Sequence, residues 1–174
     1  MATLISGSTG IDKIQDGTIT NADINSSAAI AGSKINGSFG KVLQVVQITS
    51  NSQTSPTTSF ADMTGADITI TPSATSSKIL VMWNCGGMSE GANNEIYCRI
   101  LRDSTVIRDM DRYGYVSTSS WSAVPIFLQY LDSPSTTSAI NYSIQFRTSL
   151  NAELRLNSNA TTAGLVGIAM EIGA

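Results

Sequence analysis

The sequence predicts an all-β domain, an antiparallel β-sandwich or jelly roll of about 8–10 strands, preceded by an extended N-terminal arm. Three observations carry this prediction. First, apolar and polar residues alternate with period two, most clearly at Ile140, Tyr142, Ile144 and Phe146 with Asn141, Ser143, Gln145 and Arg147 opposite. Second, clusters of Gly, Pro, Asn, Asp and Ser punctuate the chain at short intervals. Third, no segment repeats its apolar residues at three and four for the length a helix requires. A series of short strands of this kind closes as a sandwich or jelly roll.

The elements follow in order. Val42, Leu43, Val45, Val46 and Ile48 form a first strand, and Asn51 to Ser59 is a Ser/Thr/Pro loop. A short strand is expected near Thr58 to Met63, turned by Thr64-Gly65, and Asp67 to Thr71 alternates like a strand with one wet face. After the Pro72 to Ser77 loop, Lys78 to Cys85 (KILVMWNC) is apolar on both faces, so a central strand covered on both sides is expected. Gly86 to Asn94 reads as a loop. Glu95 to Arg102 and Thr105 to Asp109, joined by Asp103-Ser104, are the firmest hairpin. Met110 to Ser120 is a polar loop or a weak strand. Trp121 to Leu131 is a strand whose Pro125 cannot donate to a ladder, which marks an edge or a bulge. After Ile140 to Arg147 come Leu154 and Leu156, a polar loop over Asn157 to Gly164, and a closing strand from Leu165 to Ile172.

Residues 1–40 have a different texture. Ile11, Ile14, Ile19, Ile24, Ile30 and Ile35 stand apart among small and polar residues. Steps of mostly five match neither a helix nor a half-buried strand, since five residues at about 100° each overshoot a full turn by roughly 140°. The segment cannot bury these side chains against itself. It reads as an assembly arm, 1–40, ahead of a head domain, 41–174. A disordered tail would carry more charge and fewer β-branched residues. Forty extended residues reach at most about 130 Å, at roughly 3.3 Å each.

Composition narrows the function. Of 174 residues only 13% are charged, against about 25% in typical domains, and Ser, Thr, Asn and Gly take their place. A net charge of −3 with scattered Lys and Arg excludes nucleic acid as an expected partner. No window approaches the roughly 18 apolar residues of a membrane span, and MATLISGSTG lacks the pattern of a secretory signal. Cys85 and Cys98, each in an apolar segment, read as buried free thiols; pairing of their two segments as a hairpin would allow a bridge.

One resemblance rests on particular residues. The run Asp16-Gly17-Thr18-Ile19-Thr20-Asn21-Ala22-Asp23-Ile24, followed by Ser27-Ala28-Ala29-Ile30-Ala31-Gly32-Ser33-Lys34-Ile35, resembles a repeat of fibre and appendage proteins of tailed bacteriophages. Ile70-Thr71-Pro72-Ser73 leading to Ser76-Ser77-Lys78-Ile79-Leu80-Val81 shares the likeness, as do Leu131-Asp132-Ser133-Pro134 with Thr136-Thr137-Ser138-Ala139 and the closing Ala169-Met170-Glu171-Ile172. The resemblance implies a non-enzymatic virion protein, a homotrimer assembled in the host cytoplasm, whose arm docks on other virion proteins such as the major capsid protein or a tail or portal component. With no long shaft, the chain fits a capsid decoration protein or short head fibre. The alternative is a tail-fibre receptor-binding tip recognising host surface glycan.

Candidate chemistry is sparse. With no histidine and two cysteines, a four-ligand Cys/His zinc site is out of reach, and no phosphate-binding or nucleophile motif occurs. No metal and no cofactor are expected. Glu90, Glu95, Asp103, Asp109 and Asp111 include the carboxylates a polysaccharide-cleaving pair would need, but they read as solvated loop groups. Asp109-Met110-Asp111 lacks the further ligands of a calcium loop. Tyr113, Tyr115 and Trp121 are candidates for stacking on sugar or for contact with a partner; packing against their own loop or lining a subunit interface is the plainer reading.

Overall fold

Alternation of apolar and polar residues becomes a strand wherever the sequence shows it. The structure, a computed structural model, describes residues 41–52, 58–89, 91–120, 122–150, 154–156 and 164–173. The arm isoleucines Ile11 to Ile35, Glu90 and Trp121 lie outside the described residues. Twelve strands follow one another: β1 (Val42–Ser50), β2 (Ala61–Asp62), β3 (Ile68–Ile70), β4 (Lys78–Cys85), β5 (Gly87–Ser89), β6 (Asn94–Arg102), β7 (Thr105–Val116), β8 (Ser122–Ala123), β9 (Ile126–Asp132), β10 (Ile140–Thr148), β11 (Leu154–Leu156) and β12 (Leu165–Ile172). Among the described residues there is no helix.

The strands form two antiparallel sheets packed face to face as a β-sandwich. The first sheet runs β1-β12-β4-β9, and the second runs β2-β10-β6-β7 with β3 beside β2 on the same flank of β10. Within these two sheets, with β2 and β3 taken as one interrupted strand and the short β5, β8 and β11 left aside, eight strands remain, and they pair first with last, second with seventh, third with sixth and fourth with fifth. That is one long antiparallel hairpin rolled upon itself, the arrangement of a jelly roll. A small third sheet, β11-β5-β8, carries on from β4 beyond Gly86 and from β9 across the Val124–Pro125 break. Pro125 therefore separates two strands of different sheets, and β9 after it is an edge strand.

Between the sheets lie Trp83, Tyr142, Phe146, Ile68, Ile79, Ile100, Ile144 and Leu128, all shielded from solvent. Trp83 fits because Gly167 faces it. A Cβ at Gly167 would stand 2.9 Å from Trp83 Cδ1 and 2.8 Å from Ile48 Cδ1. The indole Nε1 donates to the Ala66 carbonyl at 2.8 Å, so its polar end is satisfied within the core. At one end Asp132 of β9 accepts from the Tyr142 hydroxyl of β10 at 2.8 Å and pairs with Arg102 of β6 at 3.0 Å, tying the sheets together. Burial, and then the bond to Asp132, push the Tyr142 hydroxyl well above the ordinary tyrosine range.

Several expectations need adjustment. Of the two readings of Met110 to Ser120 the structure has the strand, which continues β7 to Val116, whereas Gly87 to Ser89 forms β5 within the expected loop. Cys85 and Cys98 do not sit on paired strands. Cys85 belongs to β4 in the first sheet and Cys98 to β6 in the second, and both are buried free thiols. Burial pushes Cys85 up to about 11, and burial with the Asp109 carboxylate pushes Cys98 up to about 12. β4 is central, hydrogen-bonded to β12 and β9, but within one chain only its Ile79, Val81, Trp83 and Cys85 face is fully covered.

Candidate assembly face

The other face of the first sheet is where β4's second apolar set goes. Strand register places side chains of all four strands in rows across it. Val45 of β1 lies opposite Met170 of β12, Met170 opposite Leu80 of β4, and Leu80 opposite Leu131 of β9. The next row is Gln47, Ile168, Met82 and Gln129. The third is Thr49, Val166, Asn84 and Phe127. None of these twelve positions carries a charge. Eight are apolar, and Lys78 appears only at the rim, beside Ile172 and Val42.

Exposure varies across this grid. Leu80, Met82, Val166, Ile168 and Met170 are half-buried by their neighbours on the sheet. The flanks are open: Val45 is 57% exposed on β1, and Phe127 and Leu131 are 54% and 47% exposed on β9. Val42 and Leu43 add exposed apolar surface at the start of β1. Met82, Asn84, Phe127, Val166 and Ile168, with the edge of Trp83, line an apolar depression of about 180 Å³. A soluble antiparallel sheet normally turns a polar face to water, and an exposed apolar face is a candidate interaction surface.

The second sheet shows that normal condition. Its outer face is polar and paired within itself. Arg99 Nε donates to Gln145 Oε1 at 2.7 Å, and Gln145 Nε2 donates to Asp62 at 2.7 Å. The Arg99 guanidinium lies 3.9 Å over the Phe60 ring and that of Arg147 lies 3.6 Å over the Tyr97 ring, both cation–π contacts. Arg112 pairs with Glu95 at 2.5 Å, and the Tyr97 hydroxyl donates to Glu95. A shallow polar concavity of about 480 Å³ lies here, lined by Asp62, Asp67, Arg99, Asp103, Asn141 and Gln145 among others.

One buried carboxylate steadies the margin of the first sheet. Glu171 points inward from β12 and is fully shielded. It accepts from the Ser73 amide at 2.7 Å, the Ser73 hydroxyl at 2.6 Å and Gln44 Nε2 at 2.6 Å. Burial acts to raise its pKa, but the bonds from Ser73 and Gln44 outweigh that and hold it at about 2. The Gln44 amide also donates to the Thr71 carbonyl at 2.7 Å, so β1, β12 and the β3–β4 loop are joined at one point.

The structure separates the aromatic candidates. Tyr113 is half-buried against the core; its hydroxyl accepts from the Phe127 amide at 2.8 Å and donates to the Pro125 carbonyl at 3.2 Å, latching β7 to β9 across the sandwich edge. Tyr115, 53% exposed, stands opposite Glu95, and its hydroxyl donates to Asn93 Oδ1 at 2.5 Å. Of the carboxylates, Glu95 is paired as above, Asp109 lies opposite Arg99 in the register, and Asp103 accepts from the Asn141 amide at 3.0 Å. Among the described residues no three Cys, Asp or Glu side chains converge as metal ligands.

No protein-family model matches the chain, and no curated protein matches it. Among solved structures it is similar to infectious bursal disease virus Gx strain, at 10% identity and a TM-score of 0.41, over 74% of this chain and 37% of that one. The infectious bursal virus derived T=1 particle gives 13% identity and 0.42, over 74% and 37%. Dimeric latent PorU from Porphyromonas gingivalis gives 8% and 0.41, over 78% and 14%. The chain spans a little over a third of the viral chains' length, and none of these likenesses assigns it a family.

Proposed function

We propose that the chain is a non-enzymatic structural protein of a tailed-phage virion, a homotrimeric capsid decoration protein or short head fibre. Residues 1–40 dock on another virion protein, and the β-sandwich head of residues 41–174 is the part that meets its own copies. The observation that carries this reading is the charge-free outer face of the first sheet. A protein working alone has no use for such a face, whereas an assembling subunit does. Interfaces between identical subunits are about 65% apolar and poor in charge, and the twelve-position grid has that composition. The second sheet, with its ion pairs and cation–π contacts, suits the solvent side of the assembly.

The test compares the full chain with one lacking residues 1–40, by light scattering and by rebinding to stripped particles. A truncated head that remains an oligomer but no longer binds particles supports the reading. A truncated head that binds particles as well as the full chain refutes the anchoring role of the arm. Binding of host glycan by the isolated protein would favour the receptor-binding alternative.

A further inference from the structure

We infer that the polar concavity on the outer face of the second sheet receives a primary alkylammonium group, the head of a lysine side chain or of a free amine. It lies on the sheet opposite the apolar face, so it stands or falls apart from the homotrimer reading. The observation behind it is a shortage of donors. Asp62, Asp67 and Asp103 all line the concavity, and among the described residues none of them has an ion pair. Arg99, also in the lining, directs its Nε to Gln145 and its guanidinium face to Phe60.

The floor is β10, whose Asn141, Ser143 and Gln145 alternate outward, with Leu101 of β6 opposite Ser143. Gln145 is satisfied between Arg99 and Asp62. Ser143 is not. It is only 7% exposed, it lines the concavity, and its hydroxyl has no hydrogen-bond partner among the described residues. Asn141 stands between two acids: its Nδ2 faces Asp67 Oδ1 at 3.4 Å, and its backbone amide donates to Asp103 Oδ1 at 3.0 Å. Its own Oδ1 is shielded and receives no donor, a condition that folded proteins rarely leave unanswered. The Asn141 end is therefore acidic and short of donors, while at the Gln145 end Arg99 offsets Asp62. An ammonium carries three donors and no acceptor on a compact head, whereas a sugar hydroxyl brings acceptors as well. Among the described residues no three acidic side chains converge on one point, which disfavours a metal ion. Leu101 gives a methylene stem an apolar seat. Arg99 repels a second positive charge, which favours a lysine side chain over a diamine.

The experiment titrates the isotope-labelled full chain with Nα-acetyl-lysine methylamide, putrescine, tetramethylammonium, calcium chloride and methyl glucoside, following backbone amides by NMR. The expected result is saturable shifts at Asn141, Ser143 and Leu101 with the lysine derivative, at about 1–10 mM, the strength of one or two charge-assisted hydrogen bonds. Tetramethylammonium, which has no N–H, should leave these amides unmoved. Asp67→Asn and Ser143→Ala should each weaken binding about tenfold, with the rest of the amide spectrum unchanged. Asp67 is exposed, so its variant should fold, and Ser143→Ala tests the site without altering charge. Tighter binding of putrescine than of the lysine derivative assigns the same site to a free amine. Equal shifts from tetramethylammonium reduce the effect to charge attraction and overturn the site. No saturation by either amine, unaltered binding in both variants, or preferred capture of calcium or of the glucoside overturns it as well.

Discussion

Leu80→Glu should dissolve the assembly while leaving the fold in place. Leu80 points outward from β4, flanked in register by Met170 and Leu131. Within one chain it is only half-buried, so a glutamate there can reach water, and the cost to folding is the ~1 kcal/mol typical of strand-surface changes. In the proposed homotrimer the same carboxylate would be buried without a cation, since the twelve grid positions offer none. An unpaired buried charge costs several kcal/mol. At about 3 kcal/mol for each of three copies, the trimer association constant falls by more than six decades. The midpoint concentration varies as the inverse square root of that constant, so it rises by about three decades. Light scattering over a concentration series reads the midpoint, and thermal melting by circular dichroism checks the fold. Leu80→Met, close to isosteric, should change neither. A Leu80→Glu midpoint within tenfold of the parent, with melting preserved, would refute the burial of this face.

The remaining predictions concern the fold that presents the face. Gly167→Ala should destabilise by about 2–4 kcal/mol, from overpacking against Ile48 and Trp83 and loss of the indole bond to Ala66; urea unfolding measures it, and the cost should shrink in an Ile48→Ala background. Glu171, held at about 2 from an ordinary 4.5, contributes stability that is present above pH 4.5 and lost as pH falls from there toward 2. Glu171→Gln should be less stable at neutral pH and show a flatter acid limb in urea midpoints taken against pH. Tyr113→Phe should cost about 1 kcal/mol through the lost latch on Phe127, read by the same unfolding curves. Cys85 and Cys98 should resist a thiol reagent at pH 8 in the native protein and react on unfolding.

How much of this was legible in the sequence follows from how local each feature is. β10 and the β6–β7 hairpin are written in period-two alternation and a two-residue turn, so a single strand or a near neighbour decides them. The pairing of β1 with β12 joins the two ends of the head, and no local pattern encodes it. Glu171 takes its role from Ser73 and Gln44, 98 and 127 residues away, which no local pattern announces. Tyr113 read as a loop aromatic available to a ligand, because nothing near it announces the β9 backbone that its hydroxyl meets. The most informative case is Lys78 to Cys85. Apolar residues on both faces led to the expectation of cover on both sides, yet one chain covers only one. Leu165 to Ile172 repeats the pattern, with Val166, Ile168 and Met170 facing out beside Leu80 and Met82. Two adjacent central strands that each carry a second apolar face do not arise from the needs of one sandwich core. Those side chains find no cover within the described part of one chain, and the discrepancy between sequence pattern and monomer burial marks the outer face of the first sheet as the surface that the proposed assembly would cover.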